Sequence, residues 1–169
     1  MDHINHKLKN KGLNLVKADK ENFCTLIDLR VAKDQESFVA SNAVSLAQAY
    51  DTLADGRFVQ AFGIWDGDTP VGFAMIGHDS EEYENMPEAC RHYCLWRFMI
   101  DQRYQKRGYG RDALTLLSDC IRSFPDGEDT LWSTSREAGN GVAAKLYHDF
   151  GFIENGEMDD DEIVAVLEL

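Results

Sequence analysis

The sequence predicts an α/β fold in which helices cover both faces of a mixed β-sheet. Short runs rich in β-branched and aromatic residues alternate with longer stretches whose apolar residues recur at helical spacing. The apolar fraction of 44% is typical of a chain that buries a core, and 169 residues suffice for one domain after a polar lead-in over 1–12. The predicted element order is β-α-α-β-β-β-α-β-α-β-β, which indicates a layered structure around one sheet.

The first half of the chain predicts a strand, two helices and a hairpin. The strand covers 13–18, and Asp19 is positioned to cap the helix that follows. The second helix is expected over about 35–50, with an apolar face made of Phe38, Val39, Ala43, Leu46, Ala47 and Tyr50. Two strands, 57–65 and 70–77, enclose the turn sequence DGDT and therefore form a hairpin.

The second half of the chain alternates strands with helices. The predicted elements are an acidic loop over 79–88, a strand over 92–100, a helix over 111–124, a strand over 129–135, a helix over 140–150 that Gly151 ends, and two strands in the tail. The tail strands flank an acidic turn over 157–162, which we expect at the surface.

The stretch RYQKRGYGR, residues 103–111, concentrates positive charge in a chain whose net charge is −13. It lies between a predicted strand and a predicted helix, where unpaired N–H groups and the helix dipole favour an anion. Gly108 and Gly110 allow a tight turn, and long cationic side chains would attract phosphate: Arg103, Lys106, Arg107 and Arg111. The stretch matches neither a Walker A loop nor GxGxxG, so it predicts a pyrophosphate site or, alternatively, an ordinary helix entry.

A second motif, further along the chain, helps to interpret this loop. QKRGYG fits the pattern Q-x-x-G-x-G, and NGVAAKLYHDFGF, which begins at Asn140, fits N-x5-LY-x3-GF. Together the two motifs and the element order resemble the GNAT superfamily of acetyl-CoA-dependent N-acetyltransferases. The flanking sequences WRFMIDQRYQKRGYGR and GFIENGE, with the ending EIVAVLEL, are similar to bacterial diamine (spermine/spermidine) N-acetyltransferases.

The resemblance implies that the chain is an enzyme that uses acetyl-CoA as its acetyl donor. The strand before the loop would offer main-chain groups to the pantetheine arm at Phe98, Met99 and Ile100. The pyrophosphate would rest on amides of the loop, which are those of Gln105, Lys106, Arg107, Gly108, Tyr109, Gly110 and Arg111. Asn140 matches the asparagine that hydrogen-bonds the cofactor in this family.

Tyr147 matches the family's tyrosine beside the thioester sulfur. A phenol with an ordinary pKa of about 10 is protonated at neutral pH and can give its proton to a departing thiolate, so the resemblance implies a general acid. The surrounding helix is apolar on the same side, and core packing is therefore the alternative interpretation of this residue.

The charge of the chain indicates which class of amine could be the substrate. Polyamines carry several positive charges, which an acidic site mouth would attract. The loop over 79–88 precedes the strand of the cofactor site, and Glu81, Glu82 and Glu84 are the candidates for amine binding; a plainly solvated loop is the alternative. The first two helices shape the acceptor pocket in this family, which makes Glu36, Phe38 and Tyr50 candidate wall residues.

Composition argues against several other classes of partner. The negative net charge disfavours nucleic acid and anionic membranes. The histidines and cysteines lack the spacing of a metal site, and four cysteines without a CxxC pair suit a reducing cytoplasm. The polar start is unlike a signal peptide, and no apolar run is long enough to span a membrane. The family's fold often pairs, so a homodimer is allowed.

Three other functions stay open from the sequence. The acceptor could be an aminoglycoside, a peptide N-terminus or an amino-acid-like toxin. The chain could also be a sensor that binds acetyl-CoA without turnover, which an intact glycine loop, Asn140 and Tyr147 argue against. A nucleotide-binding module is the third possibility.

Overall fold

A computed structural model describes residues 12–78, 92–124, 127 and 131–169. Within these residues, seven strands are found: β1 (Leu13–Lys17), β2 (Phe58–Asp66), β3 (Thr69–His78), β4 (Tyr93–Ile100), β5 (Leu131–Glu137), β6 (Ile153–Asp159) and β7 (Glu162–Glu168). The α-helices of the same residues are α1 (Phe23–Ile27), α2 (Asn42–Ala54), α3 (Tyr109–Arg122) and α4 (Gly141–Phe150). The strands form one sheet in the order β1-β2-β3-β4-β5-β7-β6, and the predicted element order is confirmed.

The centre of the sheet holds a short parallel contact. β4 and β5 pair only over Tyr93–Leu95 and Trp132–Thr134, whereas the other neighbouring strands of the described sheet are antiparallel. Each strand continues beyond this contact, β4 to Ile100 and β5 to Glu137. The two strands therefore diverge at their carboxyl ends and leave an opening in the middle of the sheet.

A β-bulge in β4 coincides with this divergence. Met75 of β3 pairs with Arg97, and Ile76 pairs with Leu95, so Trp96 is an extra residue without a partner on β3. A bulge bends its strand and increases the local twist. β4 thus changes direction immediately after Leu95, the last of its residues that pairs with β5.

Helices pack on both faces of the sheet, as predicted. One face packs against α3 and α4 around Leu114, Leu117 and Trp132. The other packs against α1 and α2 around Leu26 and Phe73. The sheet is therefore buried on both sides at its centre, where burying each large apolar side chain contributes about 1.5–3 kcal/mol.

The start of the second helix differs from the prediction. α2 begins at Asn42 and not near residue 35, because the Ser41 hydroxyl accepts a hydrogen bond from the N–H of Val44 and caps the helix there. The preceding residues form a short 3-10 turn, Lys33–Gln35, and a loop. The predicted cap of the first helix is also wrong, since Asp19 accepts from the N–H of Glu21 in a turn before α1.

The buried face of α2 also differs from the apolar face that was predicted. Its buried residues are small or polar, namely Asn42, Ser45, Ala49 and Thr52. Asn42 donates a hydrogen bond of 2.8 Å to the carbonyl of Leu26, which satisfies a polar group between the two helices. Tyr50, expected on the inner face, is 77% exposed. The periodicity of apolar residues indicated the wrong face because the side that α2 buries carries small and polar residues.

We expect Gly72→Ala to destabilise the protein, because a Cβ at this β3 position would lie 2.5 Å from the main-chain oxygen of Met99. Overpacking of this kind costs about 1–3 kcal/mol, which urea denaturation should detect as a lower free energy of unfolding. Gly77→Ala on the same strand is the control, since its Cβ would approach no atom more closely than 3.8 Å. Equal free energies of unfolding for the two variants would contradict the close contact between β3 at Gly72 and the main chain of β4 at Met99.

Candidate active site

A cleft of about 530 Å³ opens where β4 and β5 diverge. Its walls come from the end of β4, the loop that leads into α3, the end of β5, the start of α4, and the loop that precedes α2. Main-chain groups on the β5 side of β4 beyond Leu95 have no strand partner in this cleft. Such an edge can pair with a ligand that carries its own amide groups.

The structure brings almost all of the sequence-predicted site residues together in this cleft. Its lining includes Tyr147 and the predicted cofactor-binding residues Phe98, Met99, Ile100, Gln105, Lys106, Gly108, Tyr109, Gly110, Arg111 and Asn140. Arg107 is outside this lining: its guanidinium donates a 3.0 Å hydrogen bond to the carbonyl of Arg103 and lies 5.5 Å from the ring centre of Tyr104. The side chain of Arg107 thus supports the loop from outside.

The structure does not test the predicted amine-binding residues. Glu81, Glu82 and Glu84 lie outside the residues that the structure describes, so their role stays a prediction. Of the candidate wall residues, Phe38 lines the cleft, whereas Glu36 and Tyr50 do not.

The amino end of α3 faces the cleft. Gly108 precedes this helix with a left-handed φ of +88°, a conformation that costs a residue with a Cβ about 1–2 kcal/mol. No side chain of the described residues caps the helix, and the first-turn N–H groups of residues 109–111 have no partner within it. Together with the helix dipole, these groups form a site suited to a phosphate.

Gly110 has a different role from Gly108. A Cβ at Gly110 would lie 3.2 Å from a methyl carbon of Leu146, so the absence of a side chain lets α3 pack closely against α4. Because α4 carries Tyr147, this packing sets the separation between the helix amino end and the phenol. The sequence predicted that both glycines allow a ligand to approach; the structure shows that Gly110 lines the cleft and, in addition, lets α3 pack against α4.

Asp101 anchors the loop between β4 and α3. Its carboxylate is 2% exposed and accepts hydrogen bonds of 2.8–3.1 Å from the main chain and the guanidinium of Arg103 and from the N–H of Arg30. Burial by itself would raise the pKa of Asp101, but the hydrogen bonds from Arg103 and Arg30 outweigh it and lower the pKa. The sequence around Asp101 does not indicate this role, since Arg30 is 71 positions away.

Two further side chains hold the same loop. Gln105 donates to the carbonyl of Ile100 at 3.0 Å and to the side-chain oxygen of Gln35 at 2.7 Å, which joins the loop to the segment before α2. Tyr109 donates its hydroxyl proton to Asp66 at the end of β2, a hydrogen bond that raises the pKa of Tyr109. The loop is therefore fixed before any ligand binds, which reduces the ordering cost of binding.

Tyr147 belongs both to the core and to the cleft. It is 7% exposed, its ring centre lies 5.5 Å from that of Phe152, and it lines the cleft. Burial raises the pKa of Tyr147 to about 12, although a hydrogen bond with Thr134 opposes this rise. The phenol is thus protonated throughout the physiological pH range and can donate a hydrogen bond into the cleft.

Asn140 uses part of its side chain to start α4. Its carbonyl oxygen accepts a 3.1 Å hydrogen bond from the N–H of Ala143, as an N-cap does. The amide nitrogen of Asn140 stays able to donate a hydrogen bond to a ligand.

Glu162 was expected at the surface and instead lines the cleft. It is the first residue of β7 and pairs with Glu137 across the β5–β7 ladder. The hydroxyl of Ser135 donates a hydrogen bond to its carboxylate. The register of β7 against β5 places Glu162 in the cleft, and the acidic sequence around this residue does not indicate that placement.

The described residues offer neither a metal site nor a membrane-spanning helix. Within the described ranges, no group of three or more His, Cys, Asp or Glu side chains could hold a metal ion. None of the helices in those ranges is both long and apolar enough to cross a bilayer.

Comparison with known proteins adds independent evidence. The model of the acetyltransferase (GNAT) family matches residues 29–152. Spermine/spermidine N(1)-acetyltransferase of Bacillus subtilis strain 168 is 31% identical over 159 residues, which cover 94% of this chain and 99% of the relative.

Two solved structures share the fold at low sequence identity. Spermidine N-acetyltransferase of Vibrio cholerae, in complex with CoA and spermine, has a TM-score of 0.65 and 13% identity over 94% of this chain and 95% of its own. An aminoglycoside acetyltransferase in complex with coenzyme A has a TM-score of 0.73 and 13% identity over 92% and 94%. The predicted fold class is confirmed.

We expect Asp101→Asn to lower the free energy of unfolding by about 1–3 kcal/mol at pH 7, because the hydrogen bonds to Arg103 and Arg30 lose their charged acceptor. Since folding lowers the pKa of Asp101, its ionised form stabilises the fold above the unfolded value of about 3.9, and this contribution is lost as the pH falls through the folded pKa. The difference between wild type and variant should therefore shrink below about pH 4.

Denaturant unfolding at several pH values measures this difference. Asp68→Asn, in the exposed turn between β2 and β3, is the matched control and should leave stability nearly unchanged. A deficit for Asp101→Asn that is constant with pH would contradict the stabilising charge.

Proposed function

This chain belongs to the GNAT family of acetyltransferases, and we propose that it transfers the acetyl group of acetyl-CoA directly to a primary amine of a polyamine such as spermine or spermidine. The observation that carries the proposal is the single cleft that joins an anion-binding helix terminus, the unpaired edge of β4 and the buried phenol of Tyr147.

The residues of the cleft fit acetyl-CoA, the donor of the acetyl group. The N–H groups at the start of α3 suit its pyrophosphate, and the edge of β4 at Phe98, Met99 and Ile100 suits the amides of its pantetheine arm. When bound, acetyl-CoA supplies an acetyl group activated as a thioester. The amide nitrogen of Asn140 is a further donor at the same wall.

The protein's part in the reaction is to hold charge and protons in place. A main-chain N–H near Met99 or Ile100 can donate to the carbonyl oxygen, where negative charge develops during attack by the amine. Tyr147 carries a proton at its hydroxyl, close to where the sulfur departs. Because its pKa is about 12, Tyr147 keeps this proton at every pH at which the reaction is expected to run.

Two observations support a polyamine as the acceptor. The relative with 31% identity over nearly the whole chain is a spermine/spermidine N(1)-acetyltransferase. The net charge of −13 attracts polycations to the protein surface. An assembly of two copies stays a prediction from the family resemblance.

We expect Tyr147→Phe to lower kcat for spermidine acetylation by about 10²- to 10⁴-fold, because a positioned general acid contributes about that much. Binding of coenzyme A should persist, since the phenyl ring keeps the packing against Phe152. Acetyl-CoA consumption with spermidine, spermine, putrescine, an aminoglycoside and a peptide measures the reaction, and calorimetry measures binding.

Tyr50→Phe is the matched control, because it removes the same hydroxyl from an exposed position on α2 and should leave kcat unchanged. If the protein acetylated only the peptide or the aminoglycoside and no polyamine, the proposal of a polyamine substrate would be overturned. Binding of acetyl-CoA without turnover of any amine would favour the sensor, and an unaltered kcat in Tyr147→Phe would remove the phenol from the mechanism.

A further inference from the structure

We propose that Glu162 binds the positively charged nitrogen of the acceptor amine inside the cleft. This inference rests on the proposed function and names the residue that would recognise the reacting end of the substrate. Its basis is the position of the carboxylate in the cleft, the hydrogen bond that fixes it, and the absence of a cation paired with it among the described residues.

The carboxylate of Glu162 is held at the β5 side of the cleft. It is half-buried at the start of β7, where the ladder pairs it with Glu137, and the hydroxyl of Ser135 donates a hydrogen bond to one of its oxygens. Glu137 also lines the cleft but is exposed. A carboxylate that is fixed by a hydroxyl and shielded from water attracts a cation more strongly than an exposed one.

Arg97 and Arg136 line the same cleft as Glu162, but their hydrogen bonds and ion pairs are made with other groups. Arg136 forms an ion pair with Glu154, and Arg97 donates to the carbonyl of Trp96 at 2.7 Å and to Gln48 at 3.0 Å. In the part of the chain that the structure describes, no Lys or Arg forms an ion pair with Glu162. The charge of Glu162 interacts with Arg97, where it partly offsets the lowering of the Arg97 pKa by burial, but without an ion pair the carboxylate can still bind a positive group of a ligand.

The phenol of Tyr147 lines the same cleft as Glu162. Burial is the main cause of the raised pKa of Tyr147, and the charge of Glu162 contributes in the same direction. An ammonium bound at Glu162 would thus lie in the same cleft as the phenol that we assign to the departing sulfur. The other titratable groups that line this part of the cleft are Arg97 on β4 and Arg136 and Glu137 on β5.

Binding, and not proton removal, is the role that the chemistry allows. A carboxylate is a far weaker base than an alkylamine, whose ammonium form has an ordinary pKa of about 10.4. The proton therefore leaves the ammonium to water. The free amine then attacks the carbonyl carbon, so that the C–N bond forms, the C–S bond breaks and the sulfur receives the proton of Tyr147. The nitrogen, which still carries two protons after the attack, releases one of them, and the phenolate of Tyr147 takes up a proton through water, which leaves the amide and the free thiol as products. Since nitrogen regains positive charge during attack, Glu162 stabilises both the bound ammonium and the transition state.

The test compares Glu162→Gln with wild type in steady-state kinetics. We expect the KM for spermidine to rise about 10- to 100-fold while kcat at pH 7 stays within about threefold, because the lost interaction stabilised ground state and transition state alike. The pH at which kcat reaches half its plateau should shift downward, since the bound ammonium loses a negative neighbour. The KM for acetyl-CoA and the free energy of unfolding should not change.

Matched variants separate this role from a structural one. Glu168→Gln makes the same change at the exposed far end of β7 and should behave as wild type. Glu162→Asp should recover part of the lost affinity, and Ser135→Ala, which frees the carboxylate, should raise the KM for spermidine several-fold.

The possible failures are distinguishable. If wild type acetylates no polyamine, the proposed function is wrong. If wild type is active but Glu162→Gln keeps the wild-type KM and pH profile, or loses affinity for acetyl-CoA equally, this inference alone is overturned. Should Glu162→Gln fail to fold, an unchanged KM in Ser135→Ala would overturn it instead.

Discussion

The parallel pairing of β4 and β5 stops at Leu95 and Thr134, and every other feature of the site depends on this stop. A main-chain group left unpaired in a buried position costs about 1–3 kcal/mol, so the free edge of β4 needs water or a ligand to satisfy it. The bulge at Trp96 bends β4 where the pairing ends, and the antiparallel ladder with β3 holds the bent strand in place. A rigid sheet thus presents an open edge, which is uncommon at the centre of a fold.

The surrounding elements convert this opening into a site with two ends. At one end, Asp101 and Gln105 fix the loop that delivers the amino terminus of α3. At the other end, α4 brings Tyr147 to the cleft wall, and the close contact of Gly110 with Leu146 joins the two helices. The packing of α3 against α4 therefore sets the separation between the amino end of α3 and the phenol of Tyr147. We infer that the site is preorganised for a long ligand with phosphate at one end and a thioester at the other.

Local signals in the sequence sufficed for the element order, because each element depends on residues that are neighbours in the chain. The glycine loop was recognisable as a charged connection between a strand and a helix, whereas Tyr147 was singled out only by the family resemblance, and the roles of both stay predictions. Features that depend on contacts between distant segments were not predictable. Ser41 starts α2 later than the apolar pattern suggested, and the buried Asn42 joins this helix to α1 by a hydrogen bond to the carbonyl of Leu26. Asp101 acquires its role from Arg30, and Glu162 enters the cleft through the register of β5 and β7.

The central claim is that the divergence of β4 and β5 creates the binding edge for coenzyme A. Hydrogen–deuterium exchange of the protein with and without coenzyme A tests it most directly, because exchange reports which main-chain N–H groups gain a partner. We expect slower exchange over residues 96–100 and 108–112 on binding, with little change in the β1–β2 ladder. Binding that leaves both of these segments unchanged, or that protects β1 and β2 instead, would contradict the account.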